Sequence, residues 1–183
     1  MKSLKGHFLI ASSHLQDPNF ARAVILLVHH SKQGAFGVVL NRPAESTVEE
    51  LWEKADQGPC ECKQPFYVGG PVAGPVMAIH GDPELAEMTI LPGVYFAAHK
   101  EHLGKLIEQN EHPFRIFINH SGWGEGQLEH ELEQGAWLTI PATPESVFYD
   151  DFDLWTKATY QVGRTLLTKV LKLKHIPEDA GLN

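Results

Sequence analysis

The chain has 183 residues, 43% hydrophobic and 21% charged, a composition that belongs to folded globular proteins rather than disordered or fibrous ones. Fifteen basic against 23 acidic side chains leave a formal charge of −8, so the surface as a whole does not attract a phosphate backbone and specific nucleic-acid binding is not expected. No run approaches the roughly 18 apolar residues of a membrane span, the first apolar stretch (Phe8–Ala11) is too short for a signal peptide, and Cys60 and Cys62 are too close to staple distant segments, which together predict a cytoplasmic protein without membrane association.

Apolar runs rich in Val, Ile and Phe begin at Phe8–Ala11 and recur at Val24–Val28, Phe36–Leu40, Phe66–Val68, Val76–Ile79, Val94–Ala97, Phe114–Ile118 and Trp137–Ile140, which predicts about eight strands. Asp17 before Pro18 has the form of a helix N-cap with proline at the first helical position. The connection His29–Ala35 is short and contains Gly34, so the second and third strands are expected to form an antiparallel hairpin. Ser46 and Glu49 make a capping-box pattern ahead of Val48, Leu51, Trp52 and Ala55 at helical spacing, with Gly58-Pro59 as the stop. A weaker helix is expected over 100–109, with Leu103, Leu106 and Ile107 inward, and a short acidic one after Gly126. The longest helix spans about 151–173. Its first half aligns Trp155, Ala158, Thr159, Val162 and Leu166, and Asp150, Asp151 and Asp153 suit the positive end of its dipole. Its second half places Leu166, Leu167, Val170, Leu171 and Leu173 opposite Arg164, Lys169 and Lys172, as in a helix packing leucines on a core. The sum is an α+β fold with a mixed, mostly antiparallel sheet of about eight strands and about four helices, one domain over residues 1–176 and a polar tail at 177–183.

Chemistry is sparse along the chain. A nucleophile elbow needs glycine two residues either side of the serine, but Asn119 and Trp123 flank Ser121, so serine hydrolysis is unsupported. The glycine loop Gly122–Gly126 offers backbone amides but no cation, and Glu125, Glu129 and Glu131 would repel a phosphate. It is expected to turn a corner, with Trp123 folded into the core, Gly124 or Gly126 at positive φ, and Gln127 bonded to nearby backbone. His130-Glu131 lacks the second histidine of a zincin, and Cys60-x-Cys62 has no second pair. His99 and His102 lie three apart on one helix with no carboxylate identifiable beside them. No metal or cofactor is therefore expected, and folding should not need one. Arg42, at a strand end near the glycine turn Tyr67–Val72, is the best-placed cation for a small anion; the competing expectation is that it only bridges to a carboxylate.

Five segments, "GHFLIASSHLQDPNFARAVILLVHH", "GAFGVVLNRP", "YVGGPV", "SGWGEGQLEHEL" and "LWTKATYQVG", run in order from Gly6 to Gly163. Together they resemble the YqgE/AlgH family of bacterial proteins. The resemblance implies a bifurcated sheet curled into a pseudo-barrel and flanked by helices, a cytosolic location, and no established reaction; members are uncharacterised or labelled transcriptional regulators. It marks Phe20, Pro43, Gly69, Gly70, Pro71, Gly122, Trp123, Gly124 and Gly126 as residues of shape, with Asp17 and Asn41 as structural polar positions. Arg42, Gln127 and Glu129 are the polar remainder. Two departures stand out: Ser13 where proline commonly follows "LIAS", and "NHSGW" in place of a smaller, tyrosine-containing lead. The expected function is non-enzymatic, a regulatory protein acting through an unidentified protein or small-molecule partner. The alternative is an enzyme of unknown reaction with a pocket formed by Arg42, Gly69, Gly70, Gln127 and Glu129.

Overall fold

A computed structural model of the chain describes residues 2–55, 60–109, 111–149 and 153–171, the last six in backbone only. The elements are β1 (His7–Ala11), β2 (Val24–Ser31), β3 (Gly34–Val39), β4 (Pro43–Thr47), α1 (Val48–Lys54), β5 (Pro65–Val68), β6 (Met77–His80), β7 (Met88–Leu91), β8 (Val94–Ala97), α2 (Lys100–Glu108), β9 (Phe114–Ile118), β10 (Ser121–Trp123), α3 (Gln127–Glu133), β11 (Trp137–Pro141), α4 (Pro144–Phe148) and α5 (Leu154–Leu171). Each of the eight apolar runs coincides with a strand, Leu40 and Val76 alone falling one residue outside. The expected stop at Gly58-Pro59, the aspartates 150 and 151, the leucine stripe from Leu166 onward and the tail lie outside the described residues or side chains.

The strands form two sheets. The first is antiparallel throughout, in the order β10-β3-β2-β1-β11. The second runs β4-β5-β9-β6-β8-β7, with β5 and β9 its parallel pair. Neither sheet closes into a barrel, so the pseudo-barrel that the resemblance implied is replaced by two facing sheets with free edges.

Period-two alternation sorts side chains into three apolar layers. Phe8, Ile10, Val24 and Leu26 of the first sheet meet Met77, Ile79 and Phe117 of the second, closed off by Val147 of α4 and Leu154, Ala158 and Val162 of α5. The outer face of the first sheet, Leu9, Ile25, Leu27 and Val39, packs under Trp123, Leu128 and Trp137. The outer face of the second, Phe66, Ala78, Phe114 and Ile116, packs against Trp52 of α1 and Leu103 and Leu106 of α2. β2 and β3 are covered on both faces, which is why their sequences read as continuous rather than alternating apolar runs.

Three local expectations are corrected. Thr47, not Ser46, is the N-cap of α1, its hydroxyl accepting the Glu50 N–H at 3.3 Å. Asp17 does not cap a helix: its Oδ1 accepts the Asn19 N–H at 2.8 Å and its carbonyl accepts from Phe20 and Ala21, closing a turn. A fifth helix, α4, starts at a Thr143/Ser146 capping box with Pro144 in its first turn.

Candidate functional site

The motif residues divide into two groups at opposite ends of β3. Five residues at about 3.4 Å each separate Gly34, beside the glycine loop, from Val39, beside Arg42, a span of about 17 Å. Arg42, Gly69 and Gly70 therefore come together, and Gln127 and Glu129 do not join them.

At the Arg42 end lies a cleft of about 450 Å³ lined by Pro18, Asn19, Val39, Arg42, Pro43, Val68, Gly70 and Pro71. Arg42 Nη2 donates to the Ala21 carbonyl at 2.7 Å, and among the described residues the guanidinium has no carboxylate partner. Asn41 braces the same turn: its Oδ1 accepts the Val24 N–H at 2.9 Å and its Nδ2 donates to the Arg22 carbonyl at 2.8 Å. The loop 17–22 is thereby tied to the ends of β2 and β3, and it forms one wall of the cleft. Gly70 has φ +154°, and a Cβ there would stand 2.4 Å from the His120 carbonyl and from Ser121 Oγ, so its glycine is required by the approach of β10. Ser121 is fully buried and its hydroxyl donates to the Gly69 carbonyl at 3.1 Å, which leaves no nucleophile at this place.

The second group is a closed structural knot. Gly126 takes the left-handed conformation (φ +72°) as the N-cap of α3. Gln127 Oε1 accepts the Gly124 N–H at 3.1 Å, and its Nε2 donates to Glu131 Oε1 at 2.9 Å. Glu131 Oε2 accepts from both indoles, Trp123 at 2.9 Å and Trp137 at 2.8 Å. Phe20 stacks on Trp123 and meets Trp137 edge-on. On the same helix, two residues before Glu131, Glu129 Oε1 accepts a hydrogen bond from His30 Nε2 at 2.9 Å, while His30 Nδ1 accepts the Leu4 N–H at 2.8 Å. That second bond makes Nδ1 the acceptor and leaves Nε2 as the donor toward Glu129. The His30 hydrogen bond holds the Glu129 carboxyl below the usual range. Buried Trp123 and the positive φ of Gly126 meet the corner-turning expectation; Gln127 meets it in part, its oxygen bonding backbone while its NH2 bonds the Glu131 carboxylate.

The sequence left two further groups unresolved. Cys60 and Cys62 are half-buried free thiols; Cys60 Sγ accepts the Cys62 N–H at 3.4 Å, and burial pushes the Cys62 thiol up, away from a reactive thiolate. His99 and His102 do have a carboxylate beside them. It is Glu87, from the β6–β7 connection, which no periodicity or spacing in the sequence links to α2. Sequence reasoning also passed over Arg115, buried on β9, whose guanidinium donates to the Leu40 and Tyr149 carbonyls and lies over the Tyr67 ring.

Comparison with known proteins fits this fold. The family model described as AlgH-like (DUF179) matches residues 8–167. A UPF0301 protein of Chlorobium limicola is 38% identical over 97% of this chain and 95% of its own, and one of Myxococcus xanthus is 36% identical over 85% and 88%. The solution structure of the AlgH protein from Pseudomonas aeruginosa superposes with a TM-score of 0.77 at 31% identity, covering 96% of this chain and 97% of that one. A Corynebacterium diphtheriae protein shares the fold, with a TM-score of 0.72 at 24% identity over 88% of each chain. The chain belongs to the AlgH-like, UPF0301 family, whose members are uncharacterised.

Proposed function

We propose that the protein is a non-enzymatic cytosolic binding protein that takes a small carboxylate with an apolar body in the Arg42 cleft. The observation that carries this is the composition of the walls. Of the eight lining residues Arg42 alone carries a charge, and a guanidinium is a donor rather than a base or nucleophile, so the cleft can hold an anion but has no group to move a proton or attack a bond. Pro18, Val39, Pro43, Val68 and Pro71 supply apolar surface, and Val68 is among the exposed large hydrophobics. A single arginine matches a monoanionic carboxylate, which it grips with two parallel N–H groups; a phosphate dianion would call for a second cation or a helix N-terminus. The same composition weighs against the enzymatic alternative. A regulatory role would then run through ligand or partner binding, since the chain's charge of −8 disfavours direct contact with DNA.

The test uses hexanoate and inorganic phosphate as probes in calorimetric titrations of the full chain. Hexanoate should bind with Kd on the order of 1 mM and phosphate much more weakly. Arg42→Gln should weaken hexanoate about tenfold or more, the loss of a charge-assisted pair worth ~1.5–3 kcal/mol. Equal affinity of the variant, or phosphate binding above hexanoate, would refute the proposal.

A further inference from the structure

We infer that Glu87, His99 and His102 form a binding site for a divalent transition metal ion of the zinc, nickel or copper class. The site lies on the second sheet's outer side, apart from the Arg42 cleft, and rests on a different observation. His99 is the N-cap residue of α2, in extended conformation (φ −69°, ψ 132°), and its side chain makes no capping bond. His102 follows one turn later on the same face. Glu87 reaches this helix end from the β6–β7 connection, with its own backbone N–H bonded to the Phe96 carbonyl at 3.0 Å.

Three features make the cluster a ligand set rather than a chance meeting of polar side chains. First, one donor atom from each residue lies within 4.8 Å of the other two. Glu87 Oε1 is 3.3 Å from His99 Nδ1 and 3.1 Å from His102 Nδ1. With metal–ligand bonds of about 2.0–2.1 Å, the edge of a tetrahedron is about 3.3 Å, so these donors already stand close to the spacing one ion would impose. Second, the carboxylate is held in place by backbone. Oε1 accepts the Ala98 N–H at 3.0 Å and the His99 N–H at 2.8 Å, the outer bonding that orients metal-binding carboxylates. Third, the metal-free arrangement is crowded. Two backbone N–H groups and two imidazole nitrogens converge on Oε1, which has about two lone-pair sites, and of the imidazoles only His102 Nδ1 is aligned for a hydrogen bond.

Two imidazoles and one carboxylate select borderline transition metals over magnesium or calcium, which need mostly oxygen. The His99 side chain is 78% exposed, so water completes the coordination sphere and the ion enters and leaves freely. Binding would tie the β6–β7 connection to the start of α2 without being needed for folding, because each residue already sits in its place.

The test is a Zn²⁺ titration of the full, chelator-treated chain against a chromophoric chelator, with Co²⁺ absorption as a geometric readout. One equivalent should bind at micromolar Kd. Glu87→Gln, His99→Ala and His102→Ala should each weaken it at least about tenfold, whereas His130→Ala, an exposed histidine on α3, should not. His99→Ala removes an exposed ring, so an unchanged urea midpoint separates lost binding from lost fold. Absence of binding tighter than millimolar, or equal affinity in the three site variants, would overturn the assignment. Neither result depends on what occupies the Arg42 cleft.

Discussion

Glu131 is the residue on which the glycine loop is most exposed to a decisive perturbation. Its carboxylate accepts three hydrogen bonds, from Trp123, Trp137 and Gln127, and so joins the loop, α3 and β11 at one point. Both indoles are buried, at 6% and 3% exposure, so Glu131→Ala leaves two N–H groups facing the hole it creates. A buried donor left unmade costs about 1–3 kcal/mol. Because Glu131 is itself half-exposed, water reaches the gap and the lower part of that range applies, about 1–1.5 kcal/mol for each indole. Adding roughly 0.5–1 for the Gln127 amide gives about 2.5–4 kcal/mol, a large share of the ~5–15 available to a domain. With a urea slope of about 2 kcal/mol/M, the midpoint should fall by about 1–2 M with the slope unchanged. Glu131→Gln keeps one oxygen for the indoles and loses the acceptor for Gln127, so it should cost only about 0.5–1.5 kcal/mol. Melts followed by far-ultraviolet circular dichroism avoid the indole fluorescence that the substitution itself alters. A midpoint shift below about 0.3 M for Glu131→Ala would refute the structural account of the loop, because the network would then carry no weight.

Within the same loop, Gly126→Ala should cost more than ~1 kcal/mol, since φ +72° strains any Cβ, while Gly122→Ala, whose Cβ would meet His120 at an ordinary 3.7 Å, should cost clearly less; paired urea melts compare them. His80 is fully buried, with the backbone of Asp82 and Phe96 beside its ring. Burial pushes its pKa down, so the unfolded chain takes up a proton near pH ~6.5 that the folded chain refuses. Its contribution to stability is therefore intact above pH ~6.5 and falls as the pH drops below it, and His80→Phe should flatten the pH 5–7 limb of a stability profile; an unchanged slope would contradict this. Titrated against duplex DNA fragments at ~150 mM salt, the protein should show no sequence-selective complex tighter than the micromolar non-specific range.

Much of the fold was legible because buried strands announce themselves as apolar runs, and each of the eight runs coincides with a strand to within one residue. The three strands without a signal, β4, β7 and β10, are short edge strands; β4 reads "PAEST" and is nowhere fully buried, so neither period nor composition marks it. α4 was legible in principle, since Thr143-Pro144 with Ser146 carries an N-terminal signature. The corner role of the glycine loop followed from chemistry alone, since acidic neighbours exclude an anion. What the sequence did not hold was distance across the sheets. The placement of Arg42 some 17 Å from the glycine loop depends on strand register, and the meeting of Glu87 with His99 and His102 depends on β8 folding back along β7.

The central claim is that the ligand site lies at Arg42 and that the glycine loop is structure. An NMR titration of the ¹⁵N-labelled full chain with hexanoate tests it most directly, because it reports both places at once. The account predicts saturable shifts at the amides of Asn19, Val39 and Gly70 and at the Arg42 Nε–H, with Gly124 and Gln127 unmoved and all shifts lost in Arg42→Gln. Shifts gathered at Gly124–Glu131 instead, or surviving Arg42→Gln, would contradict it.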